Sequence, residues 1–404
     1  MLYKTAQNRF GLYVLLALLF FLWPFFGLCI ALLTVQIKDF KYYVVPFFFL
    51  LGYSITFKLT EADSYSYGVQ FLEIRELSFI DFFKSSYLKG ETTDLYKTFL
   101  YAILSCFTKS PKFLFGVVAL VYGYLFIKCV EFFIGNTKKE FIHYYMLLVF
   151  TLVIPFVNLN GFRFWTASFY FVYALFLFSK KKDSKYLLLV ASTVFIHFSF
   201  VLPVIFILVF YFVGKKPKIY LVFFIITLLI NNFISVFIDI GSSFLSNIFL
   251  DKLNNYTISN YASSVIEGKG EVSKVFLILN NYQIWYMFIT VFITRLNFLR
   301  YEFNEEINNL FCILILMFSF INIFGDLPSM HRFNSIVMLL TLNYMMRVFT
   351  LNRTTLMKNL NYLALPTILV STYQAFDLSV DLFSSEIVTG TLFSILTEKS
   401  YLIY

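Results

Sequence analysis

The stretch Asn158-Leu-Asn-Gly-Phe-Arg-Phe-Trp165 is a short polar break between two apolar runs, each of about the length that spans a membrane. Arg163 therefore lies within about one helical turn of hydrocarbon on either side. An arginine at this depth is tolerated where it faces a water-filled cavity, a charged partner or the lipid headgroups. Two interpretations are open: Arg163 serves a functional site, or it reaches the headgroups while Trp165 anchors the helix end.

A second arginine in a similar position favours the functional interpretation. In Met330-His-Arg-Phe333, Arg332 stands at the mouth of another apolar run. Guanidinium groups bind anionic oxygens at two points and stay charged. Arg163 and Arg332 together therefore predict a shared anionic ligand.

The composition excludes a soluble globular domain. Of the 404 residues, 60% are hydrophobic and 14% charged, and the mean hydropathy is +0.78. Soluble domains are only about 45–50% apolar. We therefore predict an all-α, polytopic integral membrane protein with a single membrane domain over residues 1–404, and about 11–13 transmembrane helices at roughly twenty residues each.

The charge is distributed as in a membrane protein. The net charge of +9 comes mostly from short Lys and Arg clusters between apolar runs, which indicates cytoplasmic loops and gives no basic surface for nucleic acid. The cysteines lie inside apolar runs without the paired spacing of a metal or redox site. They are Cys29, Cys106, Cys129 and Cys312.

Basic loops predict the topology. The Lys138 and Lys180–Lys185 loops are expected to be cytoplasmic, so Asn160 and Arg163 between them are expected on the extracytoplasmic face. The same alternation predicts that Lys216 and Arg353 are cytoplasmic. It predicts that Ser329 and the long polar loop 239–274 are extracytoplasmic.

Three segments do not fit a simple crossing. The run Gly11–Gln36 is predicted to be the first membrane helix, kinked at Pro24. Leu95–Phe107 is too short to span and is expected to be tilted or half-crossing. Tyr186–Val213 has basic clusters at both ends. It is either two short helices that meet near Ile196-His-Phe-Ser199, or one long helix with His197 bonded to a neighbouring carbonyl.

Four short motifs carry a resemblance that spans most of the chain. They are Asn160-Gly-Phe-Arg-Phe-Trp-Thr-Ala167, Ile196-His-Phe-Ser199, Glu61-Ala-Asp-Ser-Tyr65 and Arg332-Phe333. Together they resemble the Wzy-type O-antigen and capsular polysaccharide polymerases, especially the EpsG-like branch. That branch usually has glutamine after the arginine, whereas this chain has Phe164.

The resemblance implies a GT-C-like fold and an inverting, metal-independent, lipid-linked glycosyltransferase of the bacterial cytoplasmic membrane, without a cofactor. Such an enzyme joins undecaprenyl-diphosphate-linked oligosaccharides for lipopolysaccharide or capsule, with a chain-length regulator as a possible partner. In this interpretation Arg163 and Arg332 bind the diphosphate.

The resemblance does not decide which residue is the catalytic base or which other residues contact the substrate. His197, His331 or Asp63 is expected to be the catalytic base, with His197 slightly favoured. Glu61, Tyr65 and Asn160 are further candidates for substrate contacts. Glu61, Asp63 and Tyr65 would equally suit a solvated loop, and the membrane face on which they lie is left open.

Other functions compete with polymerisation. A lipid-linked oligosaccharide flippase would also need inner cations, but it usually has two similar halves, and the chain shows no internal repeat. An O-antigen ligase would use nearly the same chemistry as a polymerase. A polytopic acyltransferase would need a histidine near an early helix, and the first third of the chain has none. An ion channel would need a filter-like repeat, which is absent from the sequence.

Overall fold

The computed structural model describes residues 2–34, 37–73, 94–135, 140–229, 274–298, 304–324 and 331–398. The structure is 86% helical, and the described residues contain no strand. One isolated antiparallel bridge joins Ile55 to Phe383. The predicted all-α polytopic membrane protein is thus confirmed. The expected loop 239–274 lies outside the described residues except for Lys274, which begins a helix.

The described helices are numbered here in chain order. The first nine are α1 (Leu2–Leu22), α2 (Pro24–Thr34), α3 (Ile37–Tyr53), α4 (Asp63–Glu73), α5 (Leu95–Ser105), α6 (Pro111–Ile134), α7 (Phe141–Val153), α8 (Phe162–Lys181) and α9 (Ser184–Ser192). The others are α10 (Val201–Val213), α11 (Pro217–Leu229), α12 (Lys274–Phe298), α13 (Glu305–Phe324), α14 (His331–Leu351), α15 (Thr355–Tyr362), α16 (Pro366–Leu382), α17 (Glu386–Thr389) and α18 (Leu392–Thr397).

Four described segments are long and apolar enough to cross a membrane. They are Pro111–Ile134, Phe156–Lys181, Glu305–Phe324 and Arg332–Leu351. Between 67% and 78% of their most apolar windows is buried inside the protein, so these helices form the centre of the bundle. Shorter apolar helices surround them, among them α7, α10 and α11.

Contacts between helix ends define two ends of the bundle. At one end, Arg347 of α14 pairs with Glu306 of α13 at 3.3 Å, and Lys215 pairs with Glu305. We call this the Lys181 end, because the C-terminus of α8 lies there: Asn309 Nδ2 donates to the Ser179 carbonyl at 2.8 Å. The opposite end, where α8 begins, is the Arg163 end.

The N-terminal segment does not form the single kinked helix that was predicted. At Pro24 the chain folds back so sharply that a Cβ on Gly27 would lie 3.0 Å from Leu19 Cβ. Helix α1 runs parallel to α3, since Tyr13 donates to Asp39 and Phe20 contacts Tyr43. Helix α2 runs against α3, since Phe25 contacts Phe47 while Gly27 lies at Tyr43. Proline has no N–H and clashes with the preceding turn, which explains the break. The pair α1–α2 is therefore a hairpin.

A second hairpin is formed by α9 and α10. Lys182, just after α8, lies with its Nζ 5.2 Å from the Phe210 ring in the last turn of α10. Both ends of the pair therefore meet at the Lys181 end, while the turn between them carries His197. Of the two interpretations of Tyr186–Val213, the structure confirms two short helices that meet at this turn.

Helices α4 and α5 stay at the Arg163 end. Tyr101 of α5 donates to the Tyr67 carbonyl of α4 at 2.8 Å, and the Ser64 N–H of α4 donates to Asn160 Oδ1 at 2.7 Å. Residues Leu95–Ser105 do not cross the bundle, in agreement with the expectation from their length. The Asp63 segment, whose side was left open, lies at the same end as Arg163.

Candidate functional site

Arg163 is held by two polar contacts at the start of α8. Its Nη1 donates to Asp94 Oδ2 at 2.6 Å, and its Nε donates to the Tyr67 hydroxyl at 2.9 Å. The guanidinium also lies over the Tyr67 ring, 5.1 Å from its centre. Its Nη2 makes no hydrogen bond to any described residue. Arg163 is thus oriented by protein groups and keeps one donor edge free for a ligand.

Asp94 is the residue that sequence reasoning missed. Its side chain is only 6% exposed, and its second oxygen, Oδ1, accepts the Phe198 N–H at 3.1 Å. One carboxylate thus connects the start of α8 to the turn between α9 and α10. In the sequence Asp94 precedes an apolar run like an ordinary helix cap, although its side chain makes no cap hydrogen bond. No local signal distinguishes it.

The His197 turn brings an imidazole to the same place. A 3₁₀ turn, Thr193–Phe195, precedes His197, and another, Phe198–Phe200, follows it. The Ser199 backbone nitrogen lies 3.3 Å from His197 Nδ1, and Ser199 Oγ lies 2.8 Å from it. These contacts fix the imidazole plane. In the tautomer in which Nδ1 carries the proton and donates it to Ser199 Oγ, Nε2 keeps its lone pair and can accept a proton.

Arg332 approaches from α14. Its guanidinium carbon lies 5.7 Å from the centre of the Phe164 ring, and the ring of its neighbour Phe333 lies 5.1 Å from the same ring. It forms no ion pair with a described carboxylate. Arg163 and Arg332, far apart in the sequence, therefore both lie near the His197 turn, the first through Asp94 and the second through Phe164. The side chain of His331 lies outside the described ones.

The predicted acidic segment borders the site. Asp63 and Glu61 are exposed and Tyr65 is half-buried. A Cβ on Gly161 would lie 3.4 Å from Asp63 Oδ2 and 3.5 Å from Trp165 Cδ1. Asp63 is therefore close to the segment that carries Arg163. Asn160, which is predicted to contact substrate, accepts the Ser64 N–H with its side-chain oxygen.

A second layer supports Arg163. Burial raises the pKa of the Tyr67 phenol, an effect that Arg163 opposes, so the phenol stays protonated at neutral pH. Lys97 Nζ lies 5.8 Å from the Tyr67 ring and donates to Gln70 Oε1 at 2.9 Å. These contacts link α5 to α4, and Tyr67 of α4 in turn accepts the hydrogen bond from Arg163 of α8.

The site combines cations with a basic nitrogen and carboxylates. Arg163, Arg332 and Lys97 carry positive charge, while Asp94 and Asp63 carry negative charge. Such a set stabilises an anion at one point and accepts a proton at another. Within the described ranges, no three His, Cys, Asp or Glu side chains lie close enough together to hold a metal ion.

A comparison with protein families identifies the family of the chain. The model of one family, described as the EpsG family, matches residues 41–385, a range that includes Asp63, Arg163, His197 and Arg332. The chain belongs to the EpsG family. Members of the EpsG family are Wzy-like polymerases, which confirms the resemblance carried by the short motifs. No curated protein and no solved structure matches this EpsG-family chain.

Proposed function

We propose that this EpsG-family protein polymerises undecaprenyl-diphosphate-linked oligosaccharides at the Arg163 end of its bundle, on the extracytoplasmic face of the bacterial cytoplasmic membrane. The observation that carries the proposal is the convergence of Arg163, His197 and Arg332 from three separate elements. Two guanidinium groups beside an imidazole suit a reaction in which a diphosphate leaves and a hydroxyl loses its proton.

The reaction transfers a glycan from one lipid carrier to another. An acceptor hydroxyl oxygen forms a bond to the anomeric carbon of the donor glycan, while the bond from that carbon to the carrier phosphate breaks. The electron pair of the broken bond goes to the diphosphate, which gains charge as it departs. The hydroxyl proton goes to a base of the protein. Attack opposite to the leaving group inverts the anomeric centre.

Arg163 and Arg332 have different roles in this reaction. Arg332 has no carboxylate partner among the described residues, so its positive charge is not neutralised and can stabilise the negative charge of the departing diphosphate. Arg163 is partly neutralised by Asp94 and offers its free Nη2 edge. Donors that are already in place where charge develops lower the barrier without reorganisation.

Two described groups are candidates for the base. His197 contacts the Phe164 ring, which also contacts Arg332, and its Nε2 can accept a proton when Nδ1 donates to Ser199 Oγ. Asp63 is exposed at the border of the site. A base must come within hydrogen-bond reach of the acceptor hydroxyl. His197 is favoured because its imidazole plane is fixed by Ser199 and because its ring packs on Phe164, whose ring also contacts the Arg332 guanidinium.

The decisive experiment is the surface-glycan pattern of a deletion strain. A polymerase defect leaves a single repeat unit on each lipid acceptor, and reintroduction of the intact gene restores the ladder. Complete absence of the repeat unit would instead indicate a flippase or a ligase. Purified protein in proteoliposomes, supplied with lipid-linked repeat units extracted from that strain, is expected to convert them to longer chains. Failure of this conversion would contradict the proposal.

A further inference from the structure

The ring of Phe164 contacts two functional groups from other parts of the chain, the His197 imidazole and the Arg332 guanidinium. Phe164 is 3% exposed. Its ring centre lies 5.4 Å from that of His197, at an angle of 87°, and 5.7 Å from the guanidinium carbon of Arg332. Phe200 and Phe333 enclose the ring at 5.4 Å and 5.1 Å. The ring is therefore locked in place by its neighbours.

An aromatic ring attracts a guanidinium because its face carries partial negative charge. It also attracts the edge of another ring, which is the arrangement seen with His197. An aliphatic side chain of similar size fills the same space but provides neither interaction. The contacts thus depend on the aromatic character of residue 164 as well as on its volume.

We propose that Phe164 is a positioning residue, which holds the Arg332 guanidinium beside the His197 imidazole so that both act on one substrate. The inference rests on the proposed function. In this arrangement the face of the Phe164 ring holds Arg332.

The test is a double-mutant cycle between residues 164 and 332, measured in proteoliposomes with lipid-linked repeat units extracted from the deletion strain. Phe164→Leu is expected to lower kcat about 10-fold with little change in KM, because a misplaced Arg332 weakens interactions made in the transition state. In an Arg332→Gln background, Phe164→Leu is expected to lower kcat by less than about 2-fold. Phe164→Tyr, which retains the ring, should restore most of the lost rate.

The matched control is Phe171→Leu on the same helix. Phe171 is fully buried and its ring lies 5.2 Å from Phe200, but it has no ring contact with His197 or Arg332 among the described residues. It should therefore leave kcat nearly unchanged. Equal losses from Phe164→Leu with and without Arg332, or an equal loss in Phe171→Leu, would reduce Phe164 to a packing residue.

The two proposals fail in different ways. If the unmodified protein makes no polymer from the extracted repeat units, the proposed function fails and the role of Phe164 fails with it. If the unmodified protein is active, Arg332→Gln is impaired and Phe164→Leu is fully active, only the role of Phe164 is overturned. Detergent-solution melting temperatures of all variants separate loss of fold from loss of rate.

Discussion

Arg163 and Asp94, which stand 69 positions apart in the chain, form an ion pair with 2.6 Å between Nη1 and Oδ2. Because Oδ1 of Asp94 also accepts the Phe198 N–H at 3.1 Å, this carboxylate fixes the distance between the arginine and the His197 turn. The pair thus sets the geometry of the site before any substrate arrives.

Replacement of Asp94 by asparagine is expected to slow polymerisation while the protein still folds. Asparagine retains an acceptor for Phe198 but loses the charge that orients Arg163. A displacement of about 1 Å in a catalytic group can cost about 100-fold in rate, so we expect a loss of about 10- to 100-fold in Asp94→Asn. The measurement is kcat in proteoliposomes, with ladder length in cells as a second readout.

The control for this variant is Asp183→Asn. Asp183 caps the opposite end of the same hairpin by accepting the Lys185 N–H, and asparagine caps equally well. Asp183→Asn therefore makes the same exchange in the hairpin without touching Arg163. Activity close to that of the unmodified protein is expected. A fully active Asp94→Asn variant would show that the ion pair does not position the site.

Close packing between α3 and α6 gives a prediction about stability. A Cβ on Gly52 would lie 2.1 Å from the Phe115 carbonyl oxygen, and a backbone atom cannot move aside cheaply. Gly52→Ala should therefore force the helices apart and destabilise the protein by about 1–3 kcal/mol. A lowered melting temperature in detergent would show this.

Gly11→Ala provides the comparison for Gly52. Nothing lies within 4 Å of a Cβ at Gly11, and alanine is the better helix former by about 0.5–1 kcal/mol. Its melting temperature should be unchanged or slightly raised. Equal shifts in both variants would contradict the packing argument.

The α9–α10 hairpin predicts an unusual labelling pattern. Single cysteines at Lys181 and Lys216 should react from one side of the membrane, and single cysteines at Asn160 and Ser199 from the other. The native cysteines are first replaced by serine, since Cys106 is exposed. An impermeant thiol reagent applied to spheroplasts and to inverted vesicles distinguishes the faces. Labels at positions 181 and 216 on opposite faces would exclude the hairpin.

Much of the architecture could be predicted because the bilayer imposes simple length and charge rules. The basic clusters at both ends of Tyr186–Val213 indicated an even number of passes, and the structure has the hairpin. The same rules failed at Gly11–Gln36, because a proline in an apolar run predicts a bend but not its angle. That angle depends on packing against α3, which the local sequence does not encode.

The site was predictable only in part. Arg163, Arg332 and His197 stood out because polar groups are costly in apolar runs, and the structure brings them together. Asp94 did not stand out, since it follows a mixed-charge stretch where a carboxylate is ordinary. Its role depends on contacts with residues 69 and 104 positions away in the sequence. A local sequence pattern cannot predict contacts over such separations.

Replacement of His197 tests the assignment of the base. His197→Ala should abolish or strongly reduce polymerisation with normal membrane insertion, since removal of a general base typically costs about 10²–10⁴-fold. His197→Gln retains an acceptor for the Ser199 N–H but cannot take up the proton, so it should be nearly as slow. Near-normal activity in His197→Gln would make the histidine a packing residue, and Asp63→Asn would then be the next variant to measure.

Lysine and alanine are expected to have different effects at the two arginines. If Arg163 and Arg332 bind a diphosphate that gains charge as it leaves, lysine keeps the attraction but loses the planar two-point contact. Arg→Lys should therefore be impaired at both positions, and Arg→Ala should be worse. Loss of one such donor costs about 3–4 kcal/mol of transition-state stabilisation, or about 10²–10³-fold in rate.

Ladder length at matched protein level is the measurement, and Arg295→Lys is the matched control. Arg295 lies at the Lys181 end, where it donates to Asn308 Oδ1 at 2.9 Å, so its replacement should leave the ladder intact. An arginine that only reaches the headgroups makes a different prediction, because lysine reaches them equally well and alanine then alters mainly protein abundance. The ion pair with Asp94 already argues against that role for Arg163, since the guanidinium is oriented into the bundle. Full-length ladders in Arg163→Ala would nevertheless end the catalytic interpretation of this arginine.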